Sequence, residues 1–469
     1  MREKLDSIRA LGAELVIIGN GSPLFAQGFR EDLDLQCPVL TDPDLVSYRA
    51  AGLRRGRVEL LSPQLFTNGL RAWRTGARQT GVEGDPWQLG GVFLVRPDGA
   101  TVFAQRSGVA GDHADIKAIL TALQTDAPVL NDSEANSPVE RLLGKGLSLI
   151  VNPTIAFSFD HTGFLVHSLG FDPDDLDVDL SRRRALVTGG NAGIGFEIAM
   201  ALADLGAHVV LGCRSLVRGE EAAAKIRQDT GNEKVEVIEI DMADLTMVRS
   251  AAIELSQQAL DIVVHNAGLL PEARSETPQG LETTYAVHVA GPYLLTRLLQ
   301  PTLERCDDAR VVWVSSGGMY SQALSMKDID WSARDYDGVA AYAQTKRMQV
   351  VVAEELAASL ADTNVTVSSM HPGWAATEGV KTSLPTFWRV MQPLLRSAAE
   401  GADTAVWLAA SPSAQGRSGQ FWFDREPRRT HFFPWTIESR SDRDDFMQHL
   451  TMTVEPFLEA GANDKTEAS

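Results

Sequence analysis

Tyr342 and Lys346 stand four residues apart in "YAQTK", and a serine pair, Ser315 and Ser316, closes the apolar run "RVVWVSSGG". A spacing of four puts a phenol and an ammonium on one face of a helix. A free phenol titrates near pH ~10, and a neighbouring ammonium favours its ionised form. Such a tyrosine exchanges its proton with a bound oxygen near neutrality. Ser316, at a strand end, is placed to donate a hydrogen bond to the same oxygen and to stabilise charge there. The three side chains suit interconversion of a carbonyl and an alcohol. The plain alternative for Tyr342 alone is a half-exposed helix tyrosine with no chemical role.

Carbonyl reduction also needs a hydride donor. "RALVTGGNAGIGFEIAMALADLGAHVVLGCRS" reads as strand, glycine-rich turn, amphipathic helix and second strand. Gly189, Gly193 and Gly195 let the backbone turn tightly and approach a pyrophosphate, which then meets a helix N-terminus. A glycine pattern alone is weak, but one inside a βαβ unit is strong. At the end of the second strand, enzymes selective for NAD place an acid, whereas this chain has Arg214. A guanidinium pairs with a phosphate in two-pronged fashion, so NADP(H) is favoured, with NAD(H) left open. A solvated surface charge is the alternative reading of Arg214.

Further segments follow in order: "IDMADL", "HNAG", "VSSGGMY", "YAQTK" and "HPGW". With the glycine turn they resemble the short-chain dehydrogenase/reductase (SDR) family over residues ~180–435. "YAQTKRMQVV", "SSMHPGWA" and "EGADTAVWLA" are most similar to its member-12 branch. The resemblance implies a Rossmann-type doubly wound parallel sheet of α/β class. It makes Ser316, rather than Ser315, the partner of Tyr342, and lets Lys346 also donate to the nicotinamide ribose. It further implies that Thr188, Asn191, Ile194, Ala267, Gly268, Pro372 and Gly373 border the cofactor. In the same way, Asp241 and Met242 are expected to flank adenine, Asn266 to support the loop beneath the nicotinamide, and Thr377 to touch the carboxamide.

One motif departs from the family. "TYAVHVAGPY" carries His288 where the resemblance implies an asparagine whose backbone carbonyl holds a water next to the active-site lysine. Pro292 has no N–H, so the bond it would make to the carbonyl of residue 288 cannot form and the helix should bend. The carbonyl is thereby freed, and the imidazole is expected to add a titratable station to the catalytic set. Lys346 nearby would disfavour its charged form. A structural histidine in an apolar helix is the even alternative.

Before this region, "CPVLTDPDLVSYRAAGL" and "DPWQLGGVFLVRPDGA" resemble the AhpC/TSA-type, peroxiredoxin-like thioredoxin fold, without its opening segment. The resemblance implies a redox cysteine before the first helix, where this sequence has none. Cys37 lies instead before a strand, without the helix N-terminus that activates a thiolate, and reads as a small buried hydrophobe. The expected organisation is a truncated thioredoxin-like domain over 1–125 and a linker with lead-in over 126–180. The SDR domain follows over 181–435, then a C-terminal helix and tail over 436–469. The cropped domain's sheet edge is expected to need cover, from the second domain or a second copy.

Composition bounds the rest. A chain of 469 residues with 44% hydrophobic and 22% charged content has room for two or three globular domains. Three scattered cysteines argue for a reducing compartment, and none has metal-site spacing, so no metal is expected. A formal charge of -19 excludes a nucleic-acid binder, since phosphate neutralisation needs a basic face. No stretch reads as a signal peptide or membrane span, so a cytoplasmic location is expected. "WAATEGVKTSLPTFWRVMQPLL", with Trp374, Phe387, Trp388 and Met391, suggests a small lipophilic carbonyl or alcohol substrate; an oligomer contact fits these residues as well. Two other functions are weighed: a cofactor-holding scaffold protein with impaired catalysis, and a peroxiredoxin-like antioxidant protein.

Overall fold

A computed structural model describes residues 159–463, apart from 377–387 and 390. Earlier in the chain it describes 5–20, 26–27, 30, 35–42, 45, 47–48, 51, 53, 90–96, 101–106, 119–120, 122–123 and 129–132. The chain divides into two compact units. One comprises Met1–Gly146 with Ser168–Pro173; the other comprises Leu147–His167 with Asp174–Ser469.

In the first unit, β1 (Ile17–Gly19) and β2 (Val39–Thr41) pair in parallel. β3 (Gly91–Val95) and β4 (Thr101–Arg106) form an antiparallel pair. β5 (Val129–Asp132) then pairs in parallel with β4. The segment containing β5 reads as linker by composition, yet its backbone supplies a third strand, so β4 is flanked on both sides. Cys37 is 3% exposed and packs with Leu5 and Leu35, the environment of a small hydrophobe.

The second unit is built on one sheet of β6 (Arg184–Thr188), β7 (His208–Cys213), β8 (Val235–Glu239), β9 (Ile262–His265), β10 (Ala309–Val314), β11 (Val365–Met370), β12 (Phe421–Phe423) and β13 (Glu426–Arg428). The order is β8-β7-β6-β9-β10-β11-β12-β13, all parallel except for β13. Five of these strands are buried along their whole length, which explains their continuous rather than alternating apolar runs. β6 and β9 are neighbours although two strands and three helices lie between them in the chain. Strand order therefore reverses at β6/β9, and the crevice beyond their carboxyl ends is where such sheets bind ligands.

The helix Gly193–Asp204 follows β6, Leu216–Thr230 follows β7, and Gly338–Ser359 joins β10 to β11. Asp337 caps the last of these by accepting from the N–H groups of Val339 and Ala340, which fixes where Tyr342 and Lys346 begin their turn. The helix Arg440–Asn463 buries Phe446, Leu450 and Val454 in the main core. Its end includes Gly461–Asn463, which read as tail from sequence; residues 464–469 lie outside the described set. Among the described residues no helix is long and apolar enough to cross a membrane, and no cluster of metal-ligating side chains occurs.

Candidate active site

The glycine turn after β6 has the backbone its sequence requires. Gly189 and Gly193 adopt φ of +67° and +55°, the region that favours glycine. A Cβ on Gly195 would lie 2.3 Å from both the Gly189 carbonyl oxygen and Asn266 Nδ2, so no side chain fits there. The helix beginning at Gly193 has Ala192 at its cap position, with no side-chain bond to its first N–H groups. Those donors are left for an anion, and the turn therefore fits a dinucleotide's pyrophosphate. Ile194 packs on Gly401, and Asn191 stands half-buried in the turn. Cys213, at the end of β7, is buried and its thiol is pushed up to about 11 by desolvation, which makes it inert.

Asn266 braces this turn directly. Its Nδ2 donates to the Thr188 and Gly189 carbonyls at 3.1 and 3.4 Å. The Thr188 hydroxyl in return accepts from the N–H groups of Asn266 and Ala267 at 3.0 and 3.2 Å. β6 and β9 are thus laced together just past their ends. Gly268 follows, exposed, where a Cβ would come within 3.1 Å of His288 Nε2. Arg214 is exposed and makes no ion pair among the described residues. Asp241 is half-buried and accepts from the Ala243 N–H at 2.9 Å. Met242 is 4% exposed, with its side chain in the main core.

At the other wall, Gly373 takes φ +73°, and a Cβ there would lie 2.5 Å from Arg396 Nε. Pro372 and Gly373 therefore rest on a guanidinium. Arg396 is 1% exposed, paired with Asp424 at 2.6 and 2.9 Å, and donates from Nε to the Asp160 carbonyl. Asp424 also meets His167 at 2.5 Å, and these partners hold its carboxyl below the ordinary range against the opposing effect of burial. The Phe159 carbonyl accepts from the Trp374 N–H at 2.8 Å. Trp374, expected in the substrate wall, packs edge-on against Phe159 at 6.0 Å. Thr377 and Phe387 lie outside the described residues.

Ser316, Tyr342 and Lys346 converge beyond β10. Ser316 lies beside Tyr342 and favours its ionised form, whereas Ser315 Oγ donates to the Lys346 carbonyl at 2.8 Å. The two serines are thereby divided between site and scaffold. Lys346 is 3% exposed, and its Nζ donates to the Val314 carbonyl at 2.9 Å and to Gln349 Oε1 at 3.0 Å. Burial with neutral partners alone pushes its pKa down to about 7. Nζ lies 5.5 Å from the centre of the Tyr342 ring. Tyr342 also departs from expectation. Its pKa is raised, because desolvation outweighs the opposing bond from Ser316, so the side chain is held as a phenol.

His288 forms a cross-link rather than a titrating station. Residues Ala286–Ala290 form a π-turn, and the Gly291 N–H reaches back to the Ala286 carbonyl. Pro292 accounts for the widened turn, since it offers no N–H to the carbonyl at 288. That carbonyl accepts from Gln349 Nε2 at 2.9 Å. The imidazole is fully buried: Nε2 accepts from the Leu269 N–H at 3.0 Å, and Nδ1 lies 2.8 Å from Thr345 Oγ1. An N–H aimed at Nε2 requires the tautomer protonated on Nδ1, which donates to Thr345; Thr345 donates onward to the Tyr342 carbonyl. A second ring proton would face the Leu269 N–H. Burial, with a smaller repulsion from Lys346, places the pKa of His288 well below its ordinary value.

Gln349, Thr345 and the Leu269 N–H were not singled out from the sequence. Gln349 lies three residues after Lys346, hence on the same helix face, and that spacing could have revealed it.

A parallel sheet with a phosphate-type glycine turn at its switch point, and a Tyr-Lys pair with a serine across the crevice, defines a nicotinamide-dinucleotide-dependent dehydrogenase or reductase. Residues 183–386 match the family model described as short chain dehydrogenase. Dehydrogenase/reductase SDR family member 12 of Bos taurus is 40% identical over 275 residues, 58% of this chain and 86% of that protein. Retinol dehydrogenase 12 of Homo sapiens is 36% identical over 252 residues, 53% of this chain and 79% of that protein. The chain belongs to the short-chain dehydrogenase/reductase family, and it is an oxidoreductase. Residues 1–108 match a second model, described as AhpC/TSA antioxidant enzyme.

The geometry at His288 carries an expectation: the ring stays neutral, with its proton on Nδ1, throughout the range in which an ordinary histidine titrates. Nitrogen-15 NMR of histidine-labelled protein reads the tautomer directly. A His288 signal that titrates between pH 6 and 7 would contradict it.

Proposed function

We propose that the chain reduces a small lipophilic carbonyl compound with NADPH as hydride donor, using Tyr342 as the acid. The observation that carries this reading is the convergence of Ser316 and Tyr342 with Lys346, whose Nζ lies 5.5 Å from the centre of the Tyr342 ring. A phenol kept neutral by burial is in the form needed to protonate an oxygen that gains charge. Ser316 holds that oxygen in place, and the Lys346 ammonium stabilises the phenolate left when the proton departs. Thr188 to Gly195 would hold the pyrophosphate, with Asn266 fixing the turn. A bound dinucleotide supplies the hydride.

Arg214 supports the choice of NADP(H). It is exposed at the carboxyl end of β7, beside Ser215, whose side chain caps no N–H of the following helix. No acid occupies this place to repel a 2′-phosphate. The lipophilic substrate class is supported by the apolar side chains at Trp374, Trp388 and Met391 and by the similarity to a protein named for retinol. The scaffold reading loses its motive, because His288 leaves Ser316, Tyr342 and Lys346 together.

Tyr342→Phe should lower kcat for NADPH-dependent aldehyde reduction by about 10²–10⁴-fold while NADPH still binds, measured by turnover and by fluorescence titration. Retained turnover would refute the role. Arg214→Ala should raise the KM for NADPH about tenfold or more and leave that for NADH nearly unchanged. Equal effects on the two would remove the argument for NADP(H).

The pH dependence follows from Lys346. Its folded pKa lies below its ordinary value, so the ammonium is present at low pH and is lost as pH rises through about 7. The kcat/KM for the dinucleotide, which reports the unliganded enzyme, should be level below that pH and fall above it. A profile level from pH 6 to 9 would show that the charge of Lys346 is not needed.

A further inference from the structure

The π-turn and the catalytic helix meet at one side chain that the reaction described above does not use. Gln349 is 1% exposed, and both ends of its amide are engaged. Oε1 accepts from Lys346 Nζ at 3.0 Å, and Nε2 donates to the His288 carbonyl at 2.9 Å. The chemistry of the partners fixes this orientation. A flipped amide would set NH2 against an ammonium and oxygen against a carbonyl oxygen. We propose that Gln349 is a positioning residue for Lys346, a two-ended clamp that ties the ammonium to the carbonyl released by the Pro292 turn. The proposal rests on the reductase reading and adds to it the means by which the lysine is aimed.

Lysine has a flexible four-carbon stem and three donors, so its aim depends on its acceptors. The Val314 carbonyl holds Nζ toward the end of β10 at 2.9 Å, and Gln349 holds it from its own helix. The third donor is left for the crevice. The groups facing Lys346 are Tyr342 from its own helix, the neutral His288 from the π-turn, and the Ser315 and Ser316 hydroxyls beyond β10. No carboxylate pairs with it among the described residues, so Gln349 is its one side-chain acceptor there. The anchor is equally specific. Without Pro292 at position 292 the His288 carbonyl would be occupied within the helix, and the amide would have nothing to grip.

The test uses the full chain and compares wild type with Gln349→Met, which keeps volume without acceptor or donor, and Gln349→Glu, which sets a carboxylate against the ammonium. Turnover of NADPH with an aldehyde panel by wild type, and its loss in Tyr342→Phe, first establishes the reductase reading independently. Gln349→Met is then expected to lose about tenfold to a hundredfold in kcat, as misaimed catalytic groups do. It should also move the fall of kcat/KM for the dinucleotide to lower pH. Gln349→Glu should move that fall upward by about one pH unit or more, since an opposite charge favours the ammonium. Opposite shifts in two variants are not the mark of a merely structural side chain. A folded Gln349→Met with wild-type kcat and profile would overturn the proposal. If that variant fails to fold, an unchanged profile in Gln349→Glu would overturn it equally.

Discussion

The site depends on keeping an ammonium inside the protein without a carboxylate to neutralise it. Transferring a charge out of water is costly, and an ion pair would offset the cost while weakening the field that the charge exerts on its neighbours. This chain meets Lys346 with two neutral acceptors, the Val314 carbonyl and the Gln349 amide. The charge is thus only half suppressed: titration is drawn toward neutrality, yet the proton has defined places to point. Between about pH 7 and the ordinary lysine range the unfolded chain binds the extra proton, so this group's contribution to stability grows as pH rises across that window. The folded enzyme is held away from its own stability optimum by its catalytic group.

The backbone around that lysine carries a matching irregularity. Pro292 removes one helical bond, the turn widens into a π-turn, and the released carbonyl becomes the anchor for Gln349. His288 then pins the same turn to Leu269, in the loop after β9, and through Thr345 to the catalytic helix. The loop that carries Asn266 braces the glycine turn across the β6/β9 switch point. One hydrogen-bonded path therefore runs from the phosphate-type turn to the acid-base pair, all of it through neutral groups.

Much of this was legible in the sequence. The glycine turn and the four-residue Tyr–Lys spacing each follow from local chemistry, and the parallel sheet is what the family resemblance implied. The freed carbonyl at 288 was legible too, because a proline's missing donor is a covalent fact. What took the carbonyl was not, since Gln349 comes from a helix whose register against the π-turn is set by packing. The sign of the Tyr342 shift was also hidden. Composition cannot tell how dry a site is, and dryness outweighed the opposing effect of Ser316. The added strand Val129–Asp132 is short and polar at its end.

The buried Arg396 has a bearing on where this enzyme begins. Its guanidinium supports Gly373 from below while gripping Asp424 and the Asp160 carbonyl, and His167 closes the group. Two of those four partners come from chain that precedes the first strand of the Rossmann sheet. The boundary that the fold suggests, just before β6, is therefore not the boundary of the working catalytic unit. Anyone excising the oxidoreductase unit for expression, fusion or transplantation onto another partner domain must carry the stretch from Phe159 onward, because it is a keystone of the wall built on Pro372 and Gly373 rather than a tether.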